Sequence, residues 1–241
     1  MILDWEALKA IIKHYVLYDH QCRRAFLVLV GQFGLAVLVL AILLISGKLP
    51  ALFLFVVSTG ASLGTSLGMP LVVAGVIQRE KAEGSFRALR ALPLRVETFF
   101  LGAVLAGVIA SILAFLPPYV IATIGLILRG GDVALLQIYT GWAALLISLF
   151  SASASLTVAL CVNSPAVIAN LLGGSSALIS ILISIQVLFD IIRFSEEELH
   201  RFFRFILSLE GQVLVSASVI ILSTLILYTG SRIFSRKKAY V

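Results

Sequence analysis

Charge is scarce in this chain: of its 241 residues only 12% are Asp, Glu, Lys or Arg, against about a quarter in an ordinary soluble domain. The charge that exists avoids the middles of the long apolar runs. Ionisable groups inside lipid are costly and usually mark proton or ion relays, so their absence there disfavours a proton-coupled carrier or pump. Histidine is scarcer still. His14, His20 and His200 are too scattered to make a metal site with ligand spacing. No Ser-His-Asp set or carboxylate pair falls at a common depth, which disfavours an intramembrane hydrolase. A phosphate-binding loop is also missing: Gly47-Lys48 follows an apolar run and precedes Leu-Pro, the wrong surroundings for such a loop. The chain is therefore expected to bind no ATP of its own. No cleavable signal peptide is expected either, because Asp4 and Glu6 stand where a basic start is needed.

What the chain has in excess is apolar surface. Hydrophobic residues make up 61% of it, and the mean hydropathy is +1.12. No soluble core could hide that much, so lipid must serve as solvent. Only helices and closed barrels satisfy their backbone groups in lipid. Barrel strands alternate apolar and polar residues, whereas residues 25–45 are apolar on every side. The expectation is an all-α membrane protein, one transmembrane domain over 1–241 with about six spans.

Residues 1–24 are not a span. Trp5, Leu8, Ile12, Tyr15 and Val16 recur at helical spacing among Asp4, Glu6, Lys9, Lys13 and His14. That pattern suits an interfacial helix, an elbow before the first span, or one packed on other protein. Spans one and two fall within 25–77, separated by the turn Gly47-Lys48-Leu49-Pro50. A charged segment covers 78–97. The third apolar region, 98–128, is about 46 Å long as a helix. Pro117-Pro118 should kink or break it, so a span ending near the prolines is expected, then an extra turn or partial re-entry. Spans three and four fill 98–162, span five 166–194 and span six 212–234. An amphipathic outer segment, 195–211, precedes the last span, with a capping-box signal at Ser195 and Glu198.

Positive charge stays on the cytoplasmic side of a membrane. Thirteen of the 18 Lys and Arg lie on one side of a six-span chain: Lys9, Lys13, Arg23, Arg24, Arg79, Lys81, Arg87, Arg90, Arg95, Arg232, Arg236, Lys237 and Lys238. Both termini and the 78–97 loop are thus expected in the cytoplasm, at the inner cell membrane. Cys22 and Cys161 fall on that reducing side and are expected as free thiols. No basic tract mixed with aromatics resembles a nucleic-acid surface.

The cytoplasmic loop holds the densest local signals. Gly84 permits a sharp turn after Glu83, Ser85 can cap a new short helix, and Pro93 ends it. On that helix Phe86, Leu89 and Leu92 share a face while Arg87 and Arg90 take another. An apolar face offered to the cytosol implies a partner's groove or the lipid surface. The run Arg79-Glu80-Lys81-Ala82-Glu83-Gly84-Ser85, followed by Leu89 and Leu92-Pro93-Leu94, resembles the signature between spans two and three of ABC type-2 exporter permeases. The elbow helix, six spans and amphipathic segment before the last span fit the same layout.

The resemblance implies a coupling helix gripped by a separate ABC ATPase subunit, which would carry the ATP and Mg. Phe86 and Leu89 would be the apolar anchors, Arg87 and Arg90 the rim contacts, and Glu83 and Gly84 the fixed corner, with Leu92 and Pro93 in the same coupling segment. It also implies a second permease copy or a close paralogue. The chain departs from the family pattern in lacking a Pro-rich outer stretch in its fifth region and a large exterior domain.

Hydroxyls inside spans supply a candidate pathway: Ser58, Ser62 and Thr65 in the second, and Asn170, Ser176, Ser180 and Ser184 in the fifth. The alternative for these residues is bonding to their own backbone or to a neighbouring helix. Gly60, Gly64 and Gly68 step by four and suit close helix packing. Two rival functions remain at this stage, a membrane scaffold recruiting a cytoplasmic partner and an ATP-independent channel or carrier.

Overall fold

A computed structural model describes residues 5–84, 96–129, 133–161 and 208–238. These residues are helical apart from short turns, and the chain is an all-α, multi-pass membrane protein. The elbow begins with α1, Trp5–Lys13, which buries Leu8 and Ile11 and leaves Trp5, Glu6 and Lys9 outside. A single π-helical turn, His14–Tyr18, follows. Asp19 is extended, and its Oδ1 accepts the Cys22 amide at 2.9 Å, so it caps α2, His20–Ile45. The first spanning helix therefore starts five residues earlier than Ala25, at its cap.

The elbow packs on protein. Ile11 sits over Gly102, where a Cβ would lie 2.9 Å from its Cγ2 atom. Leu8, Ile11 and Tyr15 face inward, while Trp5, Leu17 and Tyr18 remain exposed.

After the turn at Gly47 (φ +76°) comes α3, Ala51–Ala82. Then follow α4, Val96–Arg129, α5, Val133–Cys161, and α6, Leu209–Lys238. Five of these helices, α2 to α6, are long and apolar enough to cross a membrane. α3 is central, packed on α4 and α5, while α2 leans on α4 and α6 on α5. The outer faces of α2 and α6 carry exposed Leu27, Leu35, Ile42, Val213, Leu214 and Ile221, as lipid-facing surfaces do.

One expectation is overturned at Pro117-Pro118. α4 runs unbroken through both prolines for 34 residues, about 51 Å. No span ends at the pair, and the turn or re-entry expected beyond them is helix instead. The reason is tertiary. α4 is packed by the elbow, α2, α3 and α5, and neighbouring helices can offset lost proline hydrogen bonds in lipid. Arg129 at its tip donates from Nη1 to the Ile45 carbonyl at 2.6 Å, tying the end of α4 to the end of α2.

Contacts between helix ends order the bundle. The last turn of α3 meets the elbow and the last turn of α5. Trp142 near the start of α5 bonds Ser216 of α6 at 3.2 Å, and Gly230 packs on Thr157. α6 thus runs beside α5 in the same direction, and both finish at the elbow end. The link between the end of α5 and the start of α6 therefore begins at one end of the bundle and finishes at the other. The fifth span expected over 166–194 and the outer segment over 195–207 belong to that link and lie outside the described residues. Ser208 caps α6 through a 3.1 Å bond from the Gly211 amide, so the last helix begins within the expected amphipathic stretch.

Candidate functional site

α3 has 32 residues, about 48 Å of helix, against a hydrocarbon core of ~30 Å. The excess is at the elbow end, where apolar sequence gives way to Gln78-Arg79-Glu80-Lys81. Four successive side chains on a helix point around most of its circumference, and these four reach three different elements.

Glu80 reaches the elbow. Tyr15 donates its hydroxyl to Oε2 at 2.8 Å, and Nε2 of His14 pairs with Oε1 at 2.7 Å. The carboxylate is buried, its side chain only 10% exposed, while His14 is half exposed. Burial above all, then the charge of Glu80, raises the Tyr15 phenol well above its usual range. It stays a donor at any physiological pH. Arg79 turns to α2 and donates from Nη2 to Asp19 Oδ2 at 2.6 Å. Burial pushes the Asp19 carboxyl up, but the Cys22 amide and the Arg79 guanidinium outweigh it and hold it below the usual carboxylate value. Asp19 thus caps one helix and grips another with a single charge.

Gln78 and Lys81, one turn apart, turn to α5. Lys81 Nζ donates to the carbonyls of Ala159 and Leu160 at 3.0 and 3.1 Å. Gln78 Nε2 also donates to Ala159 O. Those carbonyls lie in the last described turn of α5, and near a helix C-terminus a cation is favoured by the helix dipole. The root of α3 is therefore clamped to the elbow, to the cap of α2 and to the end of α5.

Just past the clamp the helix stops. The Glu83 amide bonds Arg79 O at 2.9 Å and the Gly84 amide bonds Lys81 O at 3.3 Å. Gly84 takes φ +80°, a left-handed conformation that glycine adopts without the cost a Cβ would bring. Glu83 is exposed and 3.8 Å from Arg79 Nε. Of the residues expected to couple to a partner, Glu83 and Gly84 form this exit. Phe86, Arg87, Leu89, Arg90, Leu92 and Pro93 lie outside the described residues.

A second polar feature lies within the membrane, between α3 and α5. Ser58 Oγ donates to Gln137 Oε1 at 3.0 Å, Thr59 and Thr140 hydroxyls are 3.2 Å apart, and Ser151 donates to Leu67 O at 3.2 Å. Ser58, Ser62 and Thr65 are all fully buried in this seam. Thr65 bonds back to Ala61 O and Ser62 O. Ser62 Oγ, Ser66 Oγ and Gln137 Nε2 are buried with no hydrogen-bond partner among the described residues. Asn170, Ser176, Ser180 and Ser184 lie outside the described residues. Among the described residues, a Cβ on Gly60, Gly64 or Gly68 would meet nothing within 4 Å. Among the described glycines the tight contacts are at Gly102, Gly107, Gly125, Gly141 and Gly230.

Sequence reasoning did not find the clamp partners His14, Tyr15, Asp19 and Glu80. Their contacts join residues 60 to 66 positions apart, which no local spacing displays. Gln137 was also missed, though an amide inside an apolar region is itself a signal. No protein-family model matches this sequence, and no curated protein is significantly similar to it.

Proposed function

We propose that this chain is the permease subunit of an ATP-driven exporter of the ABC type-2 kind. Two permeases, either identical or close relatives, form the translocation path at the inner cell membrane. A separate ATPase subunit, holding ATP and Mg, grips the segment at 85–92 from the cytoplasm. Both termini are on that side, in keeping with the basic residues at the elbow end.

The observation that carries the proposal is the three-way clamp at the root of α3. A push delivered just beyond Gly84 acts on a helix end bound to the elbow, to the α2 cap and to the last turn of α5. Such an end resists bending by itself and moves its neighbours with it. The α3–α5 seam, with Ser58, Ser62, Thr65 and Gln137, is the place where relative movement would expose hydroxyls and an amide but no fixed charge. The cargo is accordingly an amphipathic or hydrophobic molecule.

The test is copurification of the chain with an ATPase subunit expressed alongside it, with hydrolysis measured in the complex. Phe86→Ala and Leu89→Ala should weaken both association and coupled hydrolysis while leaving the permease folded. Association and hydrolysis unchanged in the double variant would end the proposal. Within the path, Ser176→Leu with Ser180→Leu should impair transport and leave assembly intact.

A further inference from the structure

The elbow does not lie flush against α2. The π-helical turn and the extended Asp19 swing the chain between them, and the wedge that remains is a groove of about 300 Å³. Its floor is Cys22, Met69 and Ala110, each almost wholly buried, and Val16 and Phe26 stand along its sides. Leu27 and Leu113 form an exposed apolar rim. Among the described residues the only charged group lining it is Arg23. The Arg23 guanidinium is exposed and has no hydrogen-bond or ion-pair partner among the described residues.

Its depth follows from the helices. Asp19, four residues before Arg23, binds Arg79 at the polar end of α3. Met69 is ten residues back along that helix, about 15 Å deeper. The groove thus runs from headgroup level to roughly the middle of a ~30 Å hydrocarbon core. It opens sideways to lipid at Leu27 and Leu113.

We propose that this groove binds one acyl chain of an anionic phospholipid, with Arg23 on the headgroup phosphate. The two ends of the site select for different things. A chain already in lipid gains little from another apolar wall, so the groove fixes position without discriminating between lipids. Discrimination falls to the cation, and one Lys or Arg near the surface favours an anionic lipid roughly fivefold. A small soluble anion would leave the apolar wall unused, and a zwitterionic lipid would offer Arg23 the same phosphate with a cation beside it and no net negative charge. The bound lipid would fill the wedge between the elbow and α2 that the side chains of the described residues leave open. The proposal stands apart from any transport role, since it needs only the elbow, α2, α3 and α4.

The experiment uses the purified full chain in nanodiscs of equal parts phosphatidylglycerol and phosphatidylcholine. Native mass spectrometry then reads the lipid retained after mild detergent extraction. Wild type should retain phosphatidylglycerol about fivefold over phosphatidylcholine. Arg23→Gln should bring that ratio towards one without lowering total retained lipid. Ala110→Phe fills the floor, and Leu113→Trp obstructs the rim without touching a buried position; each should lower total retention. A wild type with no preference, an Arg23→Gln ratio equal to wild type, or undiminished retention in Leu113→Trp would each overturn the proposal.

Discussion

Removing one oxygen atom should loosen the elbow. In Tyr15→Phe the ring keeps its packing, since Tyr15 is 1% exposed and held in the cluster with Ile77, Phe99 and Phe100. What disappears is the 2.8 Å donation to Glu80 Oε2. A hydrogen bond to a charged group contributes about 1.5–3 kcal/mol, and Glu80 keeps His14 as a partner, so about 2 kcal/mol of the elbow's attachment is lost. If the elbow opens as a unit, its amide exchange rises roughly thirtyfold, since ~1.4 kcal/mol is a factor of ten. Hydrogen–deuterium exchange of the chain in detergent or nanodiscs reads this directly in peptides covering α1, with peptides from the middle of α4 as the internal reference. His14→Ala is the control. Its side chain is half exposed, pairs of that kind contribute about 0–1 kcal/mol, and the increase should stay below about fivefold. A Tyr15→Phe increase below about threefold, or a larger effect from His14→Ala, would refute the claim that the buried Tyr15–Glu80 bond holds the elbow.

The pH dependence of the same region has a definite sign. The Asp19 carboxyl is held below its ordinary value, so its stabilising contribution is complete above about pH 4, the unfolded value. It is lost only as pH falls through the lower folded value. The Asp19 contribution to elbow protection should be flat from about pH 5 to 8 and fall below about pH 4, and Asp19→Asn should have lower protection with that acid step reduced. Two glycine substitutions should separate packed from open faces. Gly102→Ala puts a methyl 2.9 Å from the stiff Ile11 side chain and should cost about 1–3 kcal/mol, seen as a lower melting temperature in detergent. Gly64→Ala meets nothing within 4 Å and should be neutral within about 0.5 kcal/mol. Equal effects of the two would contradict the helix arrangement.

Much of the architecture was legible because lipid imposes a strong one-dimensional code. About 20 consecutive apolar residues make a span, and that rule marked the long apolar helices α2, α3, α5 and α6, while α2 begins and α3 ends five residues beyond the apolar runs. The turn at Gly84 was legible too, since a glycine after a charged helix end is a local signal. Pro117-Pro118 misled for the same local reason. Proline's penalty is a property of an isolated helix, whereas α4 is supported by its neighbours along its length. The small-residue stripe Gly60, Gly64, Gly68 announced a face suited to close approach but not which helix would use it. In the described bundle the close approaches are made at other glycines.

Sequence alone determined the solvent: this composition requires lipid and helices, and its charge distribution requires one end of the bundle to be basic. Only the tertiary structure decided that Arg79, Glu80 and Lys81, consecutive in the chain, hold three different elements, and that Asp19 both caps a helix and pairs with an arginine. Hydropathy is a sum over neighbours in sequence and survives without a fold. A hydrogen bond between residues 65 apart has no existence until the bundle packs and brings them within 3 Å.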